Sequence, residues 1–161
     1  MIRPQLAVIN IGLSLVTIGI EVIVLIIYFT FIGLEILGIL ACIAIILSNI
    51  VGIMTYKEDF PLDTRKNIFT VDYVMLIITI LIEFGMLTGS LLATTVYILV
   101  FAFLGTIPFV EVIVQFFGIS IIPFVAIIVM KAVASLLYLI IFIISIISAI
   151  VNRRHNHRTE V

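Results

Sequence analysis

Charged side chains are scarce: 8 Lys and Arg and 9 Asp and Glu in 161 residues, 11% of the chain. A soluble domain of this length carries roughly a quarter, so water is excluded as the main solvent. The net charge of −1 offers neither a basic footprint for nucleic acid nor an acidic tail. Cysteine is limited to Cys42, inside an apolar run, which excludes a disulfide within the chain and leaves the redox compartment open. Histidine occurs only as His155 and His157 in the tail, so Cys/His metal clusters and haem ligation within apolar sequence are excluded. His155-Asn156-His157 reads as solvated basic tail. Glycine-rich phosphate loops, nucleophile elbows and paired acids in an aqueous setting are also missing. No cofactor, no metal and no enzymatic activity are expected. Behind Met1-Ile2-Arg3-Pro4 the apolar stretch is too long for a signal peptide and has no small-x-small cleavage pattern, so it reads as a retained span.

Apolar residues make up 65% of the chain, and the mean hydropathy is +1.50. The fold expected is an all-α integral membrane protein, a single transmembrane domain over residues 1–161 with the lipid bilayer as its surroundings. A spanning helix needs about 20 apolar residues. Only residues 1–5, Tyr56–Thr70 and Asn152–Val161 are clearly polar. Five spans follow, over about 5–29, 32–55, 70–90, 93–117 and 120–151, with an aqueous loop 56–69 and a basic tail 152–161. Tyr28–Phe31 suits the first turn, since aromatics favour the membrane interface. Breaks are expected at Thr88-Gly89-Ser90 and Gly118-Ile119-Ser120, with Pro108 kinking the fourth helix and Pro123 in the first turns of the fifth.

Positive charge argues for an even number. Five spans separate Arg153, Arg154 and Arg158 from Arg3, Lys57, Arg65 and Lys66, whereas an even count gathers all seven on the cytoplasmic side. Four spans plus a re-entrant hairpin around Thr94–Gly118 is therefore the alternative, allowed where protein or water shelters the backbone; six also stays open. The basic tail is expected on the cytoplasmic side, against anionic headgroups.

The few polar residues recur at helical spacing. They are Asn10, Ser14, Thr17, Glu21 and Tyr28 in the first helix, and Glu35, Gly38, Cys42, Asn49 and Gly52 in the second. Asp72, Thr79, Glu83 and Ser90 follow in the third, and Lys131, Ser135, Tyr138, Ser145 and Asn152 in the last. Each set forms one face directed at neighbouring helices, where small residues permit close approach and hydroxyls bond across. For Ser, Thr and Gly, packing alone explains this.

Ionisable groups demand more. Glu21, Glu35, Glu83, Glu111 and Lys131 all fall in apolar sequence. A charge near the bilayer centre costs at least about 2.5–3.5 kcal/mol, so these groups are neutral, paired with Lys131, or lining a hydrated path. All five are candidates for a proton or ion path. Glu83 reads equally as a relay or a structural hydrogen bond. Glu21, Glu35 and Lys131 also fit a salt bridge, and Glu111, after Pro108 and before Gln115, fits an interfacial position.

Ile32-Gly33-Leu34-Glu35-Ile36 and Ile82-Glu83-Phe84-Gly85-Met86-Leu87 place one glutamate in each of two helices. In these strings residues 1–100 resemble the small three-helix membrane subunit shared by respiratory complex I and multisubunit cation/proton antiporters. The resemblance implies that Glu35 and Glu83 belong to a chain of proton-carrying groups. That family's basic cluster between helices one and two is replaced here by Tyr28–Phe31, and residues 100–161 have no counterpart.

Three functions are expected from these features. The first is a non-catalytic subunit of a larger membrane complex that contributes carboxylates to ion translocation alongside other membrane subunits. The second is a structural or assembly protein, such as a scaffold, virion or membrane-remodelling component. The third is a small homo-oligomeric transporter or channel.

Overall fold

The computed structural model describes residues 2–28, 32–54, 61–105 and 122–159, and all of these except Pro61 are helical. The helices are α1 (Ile2–Tyr28), α2 (Ile32–Met54), α3 (Leu62–Gly105) and α4 (Ile122–Thr159). Much of this sequence is Ile and Val, which favour strands in water. In hydrocarbon the backbone must satisfy its own hydrogen bonds, and a helix does this within one segment. Among the described residues, four helices are long and apolar enough to cross a membrane. Pro61 and Asp63 start α3; the Arg65 amide donates to the Pro61 carbonyl at 2.9 Å, and Asp63 lies where the helix dipole favours an acid. His157 and Arg158 lie in the last turn of α4, where the dipole favours cations.

The helices run alternately up and down in a ring: α1 packs on α2 and α4, and α3 packs on α4 and, more thinly, on α2. The bundle is inside-out relative to a soluble one. Leu15, Leu40, Leu81 and Leu136 are more than half exposed on the outside, while Arg3, Asn10, Glu21, Glu35, Asp72, Glu83 and Lys131 are buried. That distribution suits lipid outside and polar contacts inside.

The fifth span is corrected. No break occurs at Thr88-Gly89-Ser90, because α3 continues unbroken to Gly105. The hydroxyls there close onto their own helix instead: Thr88 donates to the Phe84 carbonyl and Thr94 to that of Ser90, each at 2.9 Å. Gly89 gives α2 room to approach, with Leu34 Cδ1 lying 3.5 Å from where a Cβ would stand. Residues 93–105, assigned to a separate span, are thus the last turns of α3. Leu62–Phe69, expected within an aqueous loop, belong to helix α3. The tail from Asn152 continues α4 as far as Thr159. Pro108, Glu111, Gln115 and Gly118-Ile119-Ser120 lie outside the described residues, as do Phe29–Phe31.

Four helices bring both ends of the described chain to one end of the bundle, together with Arg65 and Lys66 at the start of α3. The helices are unequal. At 1.5 Å per residue α1 is about 40 Å long and α3 about 66 Å, against a hydrocarbon core of about 30 Å. At the end of the bundle opposite the two termini, α3 extends past α2, and Leu99 and Phe103 expose more than 60% of their surface.

Candidate functional site: a polar axis through the bundle

Three polar layers lie along the axis. At the end that carries the termini, Arg3 on α1 reaches across the ring to Asp72 on α3, pairing at 2.9 Å through one terminal nitrogen and 3.3 Å through Nε. Its second terminal nitrogen donates to Asn49 Oδ1 at 3.0 Å, and Asn152 on α4 donates to Asp72 at 2.5 Å. One cation meets one anion, and all four helices contribute. Gly52 makes the room: a Cβ there would stand 2.6 Å from the Arg3 guanidinium carbon.

Ala7, Ile45 and Leu76 are buried between this layer and the next, sealing it with apolar volume. In the middle layer, Ser145 donates to Glu83 Oε1 at 2.7 Å and accepts from Asn10 Nδ2 at 3.0 Å. Glu83 is fully buried and has no cationic partner among the described residues.

The third layer lies toward the other end. Lys131 donates to Glu21 at 2.8 Å and to Glu35 at 2.5 Å, so a single ammonium bridges α1, α2 and α4. Tyr138 donates to the other Glu21 oxygen at 3.3 Å and accepts a weak contact from the Cys42 thiol at 3.9 Å. Ser135 joins Ser90 at 2.7 Å, which ties α3 in as well. Arg3 and Glu21 are five turns apart on one face of α1, about 27 Å along the axis. The three layers therefore extend over nearly the thickness of a hydrocarbon core.

Of the five candidates, the structure brings Glu21, Glu35 and Lys131 into one cluster and leaves Glu83 a separate carboxylate; Glu111 lies outside the described residues. In the Arg3–Asp72–Asn49–Asn152 layer, Asn49, Asp72 and Asn152 stand on inward faces legible in the sequence, but sequence reading missed Arg3, because it stands in the polar N-terminal stretch. A signal was available: Arg3 precedes Asn10 by seven residues and so falls on the same face as Asn10, Ser14 and Glu21.

Gly38 offers a direct check on the third layer. A Cβ there would lie 2.8 Å from the Tyr138 hydroxyl and 3.3 Å from the Glu21 carboxyl carbon. Gly38→Ala is expected to push Tyr138 off Glu21 and cost about 1–3 kcal/mol by overpacking. Unfolding in a mild detergent titrated with a denaturing one measures this; Gly19→Ala, where the added Cβ meets open space, is the control.

No family model matches the chain, and neither a curated protein nor a solved structure matches it.

Proposed function

We propose that this chain is a non-catalytic, multi-pass subunit of a larger membrane complex that contributes its axial carboxylates to the movement of protons or small cations. The observation that carries this reading is an imbalance of charge. In the Arg3–Asp72 layer one cation answers one anion, as a structural staple requires. In the other two layers three carboxylates, Glu21, Glu35 and Glu83, face one ammonium, Lys131. Net charge is too costly to bury uncompensated. With no further cation facing them among the described residues, protons or cations from outside the protein can balance them, and groups that take up such ions are what an ion path needs. The resemblance of the strings around Glu35 and Glu83 to a subunit of proton-moving complexes points the same way. The apolar surface of α3 beyond α2 suits contact with other membrane subunits. By the positive-inside rule the end bearing Arg3, Arg65, Lys66 and the α4 tail faces the cytoplasm.

Glu83→Gln tests the reading. It keeps the shape and removes the ionisable group, so coupled ion transport by the parent assembly is expected to disappear while the assembly still forms. Loss of assembly together with transport would mark Glu83 as structural. The fully paired Arg3 layer favours a second reading, a scaffold whose polar axis only holds the helices together. On that reading Glu35→Gln with Glu83→Gln leaves the activity of the parent assembly intact.

A further inference from the structure

Several buried hydroxyls in this bundle donate to the carbonyl four residues back. Thr17, Thr79, Thr94 and Ser135 all do so, at 2.6–2.9 Å. Ser14, like Ser48 and Ser148, does not: it is fully buried, and its oxygen has no partner among the described residues. It stands one turn beyond Asn10 on α1, and Asn10 Oδ1 is likewise buried without a partner. So is Glu83 Oε2. Ser145 holds the Asn10 amide and the Glu83 carboxylate on either side of one hydroxyl oxygen, so these two unpartnered oxygens belong to one neighbourhood, with Ser14 one turn along α1 from Asn10. An unpaired buried polar atom costs about 1–3 kcal/mol, and three together call for a common ligand, a water or an ion.

We infer that Glu83, Asn10 and Ser14 form a binding site for a dehydrated monovalent alkali cation in the middle of the bundle. It deepens the ion-path reading and rests on that reading for the site's purpose. Two features select the ligand. All three unpartnered atoms are oxygens able to accept or coordinate, the donor set that hard cations take. One carboxylate with neutral oxygens around it balances a single positive charge, whereas a divalent ion would leave net charge buried. A proton on Glu83 would also neutralise the carboxylate, but it would satisfy only one further acceptor.

The test uses the purified full-length chain in mild detergent at fixed pH and ionic strength, with NaCl exchanged for choline chloride. Modification of Glu83 by dicyclohexylcarbodiimide, an apolar carboxyl reagent, is followed by peptide mass spectrometry, and the melting temperature is measured in parallel. Na⁺ is expected to slow modification saturably, about tenfold at ten times Kd, and to raise the melting temperature. Ser14→Ala is expected to keep Glu83 reactive while weakening protection, and Glu83→Gln to abolish the Na⁺-dependent melting shift. Modification that follows pH alone, with melting equal in Na⁺ and choline, overturns the inference. The two readings fail separately. Transport lost in Glu83→Gln without any Na⁺ effect keeps a proton path and removes the cation site. Na⁺ protection with transport intact in Glu83→Gln keeps the cation site and removes the path.

Discussion

Lys131→Met is expected to destabilise the bundle by about 3–5 kcal/mol, the range for removing one partner of a buried ion pair. Methionine retains much of the length and the apolar stem of lysine, so lost volume contributes little. What it removes is, among the described residues, the only cation facing Glu21 and Glu35, both buried. The chain should then fail to accumulate in membranes, or unfold at a much lower fraction of denaturing detergent by far-ultraviolet circular dichroism. The informative companion is the triple variant Glu21→Gln, Glu35→Gln, Lys131→Met. It removes all three charges at similar shape, and most of the lost stability should return, since uncharged replacements of buried ionic groups are often neutral or better. A Lys131→Met chain as stable as the wild type would mean that the ammonium does not hold the two carboxylates.

Asp72→Ala is expected to be nearly as damaging, for the same physical reason at the opposite end. Arg3 is fully buried and, among the described residues, keeps only Asn49 once the carboxylate is gone, and Asn152 loses its acceptor. The expected loss is again about 3–5 kcal/mol. Arg3→Met combined with Asp72→Asn should cost less than the sum of the two single changes, with a coupling energy of about 0.5–3 kcal/mol for groups in direct contact. Additive effects would show that the pair is not coupled. Ion transport separates the two ends: an Arg3–Asp72 variant that still folds should retain it, because this layer is balanced and carries no excess charge.

The sequence made the inward faces legible because hydrocarbon leaves little freedom. Ionisable and other polar residues in an apolar run turn inward, so Asn10, Ser14, Thr17 and Glu21 declared one face of α1 by spacing alone. The same rule covered Glu35, Glu83 and Lys131. It could not say which carboxylates share the ammonium, since that depends on the offset between antiparallel helices rather than on any one helix. The count of spans failed for a local reason. Thr88-Gly89-Ser90 carries the composition of a turn, but hydroxyls can bond their own helix and glycine can serve close packing, and both happen here. Length misleads as well, because residues 70–117 suit two spans by length alone, whereas α3 runs unbroken to Gly105. The positive-inside rule gave the better guide: only an even number of crossings gathers Arg3, Arg65, Arg153 and Arg154 together.

The up-down order of the helices bears on how the chain enters a membrane. It can insert as two hairpins, α1 with α2 and α3 with α4, so that only the stretches joining each pair have to travel through the lipid. Between Tyr28 and Ile32 the sequence holds no ionisable residue, and between Gly105 and Ile122 it holds Glu111 alone. Glu21 and Glu35 would enter with the first hairpin before Lys131 arrives with the second, so the electrostatic barrier lies on these carboxyl groups and on Glu111, which pass most readily in their protonated form.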